Sequence, residues 1–347
     1  MPFCRQIRVT SPLQPEEIAM RIITLFLFVL GLWAVPAHAQ CTGQNLISAL
    51  PEAQRYDLLR AAHSQRNATG NLWRATRRDQ VLIVAGTFHL DDPRHDALML
   101  ALLPLLAASK TLLVEAGPAE EDALRQKMTT DTTVMMSVEG PRLADNLPPE
   151  EWQKLTDALL QRGIPSSLST KLQPWFVTMM LSIPPCALQL AAQGRGLDKR
   201  LTDVAIAQGI PIHALEPFDT ALTLFDRLSL DEQITMIRNA LLIEAQAADY
   251  LKTTADAFFA GDSRLAWEFN RQISYALPGV TRDEIDGQFI QMEEALLASR
   301  NRNWIATIEQ TLESGPTFAA FGALHLSGKE GVLALLEARG FLLQRLD

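Results

Sequence analysis

Residues 318–341 read FAAFGALHLSGKEGVLALLEARGF. An apolar run ends in Gly322, His325 follows three residues later, and leucines at helical spacing come after it. The chain does the same once before, at 81–106, VLIVAGTFHLDDPRHDALMLALLPLL, with Gly86 and His89 in the matching places. A short, β-branched apolar run closed by glycine reads as a buried strand, and each segment after the histidine reads as a helix. Strand, Gly-x-x-His-Leu, helix is therefore one device used twice. The glycine permits a sharp turn or a close backbone approach, and a turn there would aim the histidine back across the strand ends.

Outward from these motifs the pattern alternates. After a helix at 94–108, TLLVEAG (111–117) reads as a second strand, which makes a βαβ unit with parallel strands. Helices are expected at 45–65, 119–130, 147–163 and 197–209, the last ending at Gly209 and leading into a third strand, IPIHALE (210–216). From 219 to 313 the apolar residues recur at three and four positions, a helical spacing, and FLLQRL (341–346) is a closing strand. The expected fold class is α/β. A central, largely parallel sheet is flanked by helices, with a long helical insertion at 219–313 between the two Gly-x-x-His halves, and residues 40–347 form a single domain.

The N-terminus reads as a leader. IITLFLFVLGLWAV (22–35) follows Arg21 and precedes Ala37-His38-Ala39, the layout of a secretory signal, with 1–39 as leader and signal and Met20 as the cleaner start. The run falls short of the ~20 residues that a membrane span requires, so no stable span is expected once it is removed. Periplasmic or secreted localisation follows. Of Cys4, Cys41 and Cys186, the last two remain after the cut, either as a disulfide or as two free thiols. A lipid on Cys41 is the weaker reading, because Gln40 stands where a small residue belongs. Net charge is −9 with no basic run, which argues against a nucleic-acid partner.

His89, Glu115, Glu216 and His325 all fall at or just past the carboxyl ends of expected strands. In an open α/β sheet that edge is where ligands bind. Two imidazoles and a carboxylate there would form a mixed nitrogen and oxygen metal site with open positions for water and substrate. Each residue also has a plainer role available. The histidines would bond backbone carbonyls, Glu115 would cap a helix or pair with an arginine, and Glu216 would cap the turn before Pro217. His95 and His213 read as structural, His63 has no partner near it in sequence, and Phe259, Trp267 and Phe269 recur as core residues.

LLVEAGP (112–118), GLDKRLTDVAIAQGIPIHALEPFDTAL (196–222), RNRNWIATIEQTL (300–312) and the two histidine motifs, in that order, resemble the TraB/PrgY/GumN family, which includes the Tiki-type metalloproteases. The resemblance implies a divalent metal (Zn, Mn, Co or Fe) on His89, His325 and Glu115, with Arg300 and Asn301 facing the site. Arg300 is alternatively the buried ion-pair partner of Glu115. Phe88 and the Ala323-Leu324 pair depart mildly from the family motifs and remove no ligand. The expected function is an exported metal-dependent hydrolase, peptidase-like, acting on a peptide or small molecule. Glu115 or Glu216 would serve as base, and Arg300 or Asn301 would meet the oxyanion. The alternative is a non-catalytic periplasmic binding protein for a peptide, metal or haem-like ligand, since no HExxH helix is present. A vestigial site within an interaction protein is the third possibility.

Overall fold

A computed structural model describes residues 41–137, 142–226, 228–277 and 279–347. The expected leader and signal, 1–39, lie outside the described residues. Six strands form one sheet: β1 (Leu72–Arg77), β2 (Gln80–Thr87), β3 (Thr111–Val114), β4 (Ile212–Ala214), β5 (Thr317–Gly322) and β6 (Leu342–Arg345), in the order β4-β3-β5-β2-β1-β6. The four strands β4, β3, β5 and β2 run parallel, while β1 is antiparallel to both β2 and β6. The α/β class holds.

The helices used below are α1 (Glu52–His63), α2 (His95–Ala107), α3 (Pro118–Thr130), α4 (Pro149–Gln161), α5 (Pro174–Leu181), α6 (Leu197–Gln208), α7 (Leu230–Ile243), α8 (Ala247–Phe259), α9 (Ser263–Ser274), α10 (Arg282–Glu293), α11 (Ser299–Leu312) and α12 (Val332–Ala338). Both faces of the sheet are covered at its centre, which is why β2, β3 and β5 are near-continuous apolar runs rather than alternating ones. Leu82, Val84, Ala319 and Phe321 face Trp304, Ile305, Ile308, Leu333 and Leu336 of α11 and α12. Ile83, Ala85, Phe318 and Ala320 face Leu102 and Leu106 of α2, Leu197 and Leu201 of α6, and Phe258. Phe318 is fully buried, a burial worth about 1.5–3 kcal/mol, and Phe318→Ala would cost about 3–5 kcal/mol.

Local signals place the elements that carry the site. Gly209 takes a left-handed φ of 68° and ends α6, and Ile210 N–H returns to Ala205 O at 2.9 Å, so the chain turns straight into β4. The buried stripe of α11, Asn301, Trp304, Ile305, Ile308 and Leu312, has helical spacing and fixes which way Arg300 points. A π-turn at Glu294–Ala298 precedes α11, with Ser299 N–H reaching back five residues to Glu294 O.

The helical part is less simple than one insertion at 219–313. Leu143, Leu155, Leu159, Val177 and Leu181 from α4, α5 and their surroundings pack with Ile234 and Ile237 of α7 as one cluster. Segments before and after β4 thus build the same layer. The buried Arg162 ties this layer together, bonding Glu244 at 2.7 and 3.0 Å and the carbonyls of Ala158, Met180, Leu181 and Ile183. Cys41 and Cys186 form a disulfide with Cα atoms 5.3 Å apart, so the thiol of Cys41 is engaged. Asn45 and Leu46 next to it bond Asp256 and Thr253 of α8. Among the described residues, no single helix is long and apolar enough to cross a membrane.

Candidate active site

Because β5 lies between β2 and β3, the two Gly-x-x-His motifs stand side by side. β2 continues by α2 on one face and β5 by α12 on the other, the strand arrangement that opens a crevice at the carboxyl edge. Gly86 and Gly322 lie within the last residues of their strands, and neither has a positive φ. They serve close approach, not a turn. A methyl group on Gly86 would stand 2.8 Å from Leu326 Cδ1 and 2.9 Å from Ala323 Cα, so the second motif rests directly on the first. A methyl group on Gly322 would lie 3.3 Å from Glu115 Oε1, 3.6 Å from His89 Nε2 and 3.7 Å from His325 Cδ2. Three of the four strand-end residues therefore converge on Gly322.

Each histidine is oriented through its Nδ1. His325 is buried, with Nδ1 2.6 Å from Asn301 Oδ1 and its ring packed 4.4 Å from that of Trp304. A donor on Nδ1 leaves the Nε2 lone pair facing the cleft. His89, 64% exposed, has Nδ1 3.2 Å from Asp198 Oδ1. The loop that carries His89 sits on the start of α6, where Leu197 N–H donates to Phe88 O at 3.0 Å. A Cβ at Gly196 would fall 2.2 Å from His89 O, so only glycine admits this contact.

The fourth strand end joins through Arg300. Its Nη2 donates to Glu115 Oε2 and to Glu216 Oε1, both at 2.6 Å, and its Nε donates to Glu216 Oε2 at 2.9 Å. Nη1 donates to Leu296 O, in the π-turn, at 3.0 Å and lies 3.3 Å from His325 Nε2. Trp304 Nε1 adds a bond to Glu216 Oε2 at 3.1 Å, and Gly322 N–H donates to Glu115 Oε1 at 2.7 Å. The ion-pair reading of Arg300 is correct, and it includes Glu216 as well as Glu115. Asn301 spends its amide on Glu330 O and the His325 backbone, so it positions His325 instead of facing the cleft.

The electrostatics follow. Burial pulls His325 down to about 3 against the pull of Glu115, which leaves it neutral near pH 7. Burial pushes the Glu115 carboxyl up, but His325, His89, Arg300 and the Gly322 amide outweigh it and hold it at about 2. The hydrogen bond to Asp198 raises His89 to about 9.

Among the described residues, no three His, Cys, Asp or Glu side chains are drawn together closely enough to hold a metal ion. His325 Nε2 is 4.0 Å from Glu115 Oε1, and the guanidinium lies against both. In kind, however, the residues suit a divalent ion: two imidazoles and a carboxylate gather at Gly322, with each Nδ1 held by an oxygen acceptor, as metal-ligating histidines are.

The remaining histidines divide. His63 bonds Asp262 at 2.7 Å, and His213 is exposed on β4. His95 is fully buried beside Phe88, Phe258 and Phe259 with both ring nitrogens unpartnered. Phe259, Trp267 and Phe269 pack as core residues. Sequence reasoning singled out neither Asp198 nor Gly196, although both lie in the GLDKRL segment.

No curated protein matches the chain. The TraB/PrgY/gumN family model matches residues 71–345, a span that holds all six strands and every side chain of the candidate site, and the chain belongs to that family.

Proposed function

We propose that this cleft is the active site of an exported metal-dependent hydrolase acting on a peptide bond or a related amide or ester. The observation that carries the reading is the convergence of His89, Glu115 and His325 on Gly322, with both imidazoles held through Nδ1. A divalent ion (Zn, Mn, Co or Fe) held by those three residues would polarise the scissile carbonyl and lower the pKa of a bound water toward ~7. Asn301 and Asp198 keep the two Nε2 atoms on the cleft. Glu216 accepts the proton of the attacking water. Arg300, fixed by Glu216 and the Leu296 carbonyl, meets the negative charge that develops on the carbonyl oxygen. Export is supported by the Cys41–Cys186 disulfide, a bond that persists in oxidising compartments.

Elemental mass spectrometry on the purified protein, beside the His89→Ala/His325→Ala double variant, tests this together with cleavage of a quenched fluorogenic peptide library. About one ion per chain and turnover in the first, with neither in the second, is expected. Absence of both from the unaltered protein after metal supplementation overturns it. One observation favours the binding reading: Arg300 already neutralises Glu115 and Glu216 within the cleft. That reading predicts a ligand co-purifying at one per chain with no turnover.

A further inference from the structure

The sheet ends beside the site in an open edge. β4 pairs only with β3 among the described strands. Leu112 N–H donates to Pro211 O at 2.9 Å and Leu215 N–H to Val114 O at 2.8 Å. The alternation of a parallel ladder therefore turns the N–H and C=O groups of Ile212 and Ala214 away from β3. Along β4 lies a cavity of about 650 Å³, bounded by Thr111, Glu120 and residues 213–217 on one side and by Thr307, Gln310 and Thr311 of α11, with Ser314 just past its end, on the other.

The three α11 residues sit at i, i+3 and i+4, so they form a single stripe, and Ser314 follows in the turn after the helix. The same stripe runs toward the N-terminus through Trp304 to Arg300, the two residues that bond Glu216. The cavity is thus continuous with the candidate active site at Glu216. Its α11 wall is uncharged but polar, two threonines, a glutamine and a serine, and it faces a strand edge with main-chain donors and acceptors to offer. An occupant that bonds both walls carries its own alternating N–H and C=O groups. At ~3.3 Å per residue, the run from Ile212 to Glu216 accommodates about four or five extended residues.

We propose that an extended polypeptide docks along the open edge of β4, adding a strand to the sheet in the groove between β4 and α11 and delivering its next residues to Glu216. Main-chain bonds to Ile212 and Ala214 give the affinity, as in other strand-addition complexes, and the α11 stripe and the exposed His213 contact alternate side chains. This names the substrate class of the hydrolase proposed above and rests on that reading for its consequence, but binding is measurable without turnover.

The experiment is amide-resolved hydrogen exchange on the purified protein. The probe is an equimolar mixture of random-sequence hexapeptides, acetylated and amidated at their ends, beside the same mixture methylated on every backbone nitrogen. Exchange at Ile212 and Ala214 is expected to slow severalfold with the first mixture and to be unchanged with the second. Ala214→Pro, tolerated at an edge because that N–H bonds nothing in the sheet, and Thr311→Arg, which fills the groove, should each abolish the effect; the second keeps the test valid if the first fails to fold. Equal protection by both mixtures, or protection confined to other segments, overturns the proposal. Peptide cleavage without protection at β4 sinks the docking mode alone, whereas protection without cleavage sinks the hydrolase alone.

Discussion

Replacing Arg300 with methionine keeps the stem's bulk and removes five contacts at once, to two carboxylates, one carbonyl and Nε2 of His325. Glu115 and Glu216 have side chains only 20% and 12% exposed, so both would be left short of their counter-charge inside the cleft. Removing one partner of a buried ion pair costs about 3–5 kcal/mol. For a unit of about 300 residues the unfolding entropy is ~0.6 kcal/mol per kelvin, so the midpoint should fall by roughly 5–8 °C near pH 7. The deficit should depend on pH with a definite sign. Glu115, held at about 2 in the fold against an ordinary 4.5, contributes stability that is present above 4.5 and lost as pH falls through 2. Without the guanidinium that depression lessens, so the gap between the two proteins should hold from pH 7 to about 4.5 and narrow as pH falls from there toward 2. Calorimetric or fluorescence melts at pH 7, 4.5 and 3 on chelator-treated protein would read it. A variant as stable as the unaltered protein at pH 7, or a gap that stays constant with pH, would refute the view that Arg300 offsets the two carboxylates.

Three further outcomes are expected. Gly196→Ala would push its methyl to within 2.2 Å of His89 O. It should destabilise far more than Gly194→Ala, whose left-handed backbone meets no atom within 4 Å and should cost only about 1–2 kcal/mol; equal effects in thermal melts would show that the His89 loop does not depend on that contact. Asn301→Leu would strand the buried Nδ1 of His325, costing about 1–3 kcal/mol and weakening divalent-metal binding about 10–100-fold in calorimetric titration; unchanged affinity would exclude Asn301 as the positioning residue. The Cys41→Ser/Cys186→Ser double variant opens a loop of 145 residues, and the chain-entropy account puts the loss at no more than about 5 kcal/mol. A midpoint lowered by up to ~8 °C is expected, and an identical midpoint would mean that the N-terminal segment is held by its bonds to α8 alone.

The apolar runs at 81–86, 111–114 and 317–321 announced their strands because each is buried on both faces, and 211–215 did so although β4, at the edge, is only partly buried. β1 was not legible. Arg74 and Arg77 break its apolar pattern, and the turn to β2 uses Arg78 at a φ of 57° where an Asn-Gly pair would have signalled a hairpin. The motif histidines and Glu115 were legible from their places at strand ends. Their supports were not: Asp198 lies 109 residues from His89, and nothing local to either residue marks that pairing. Amphipathic spacing likewise identified helices without showing that α4 and α5 share a cluster with α7. The two glycines were found by position, but their purpose, close contact between the motifs, depends on β5 lying next to β2.

The position of β5 has a consequence for how the chain reaches this state. β2 and β3 follow one another in sequence yet cannot pair, because the strand that belongs between them begins at Thr317. Until those last residues are available, both facing strand edges stand open, apolar and able to pair wrongly. The two parallel pairings of β5 each close a loop of more than two hundred residues, the kind of topology that folds slowly. Truncation within the final strand-and-helix segment should therefore give an insoluble chain and not a folded but weakened one, and the sheet and its cleft are completed together, as the last step.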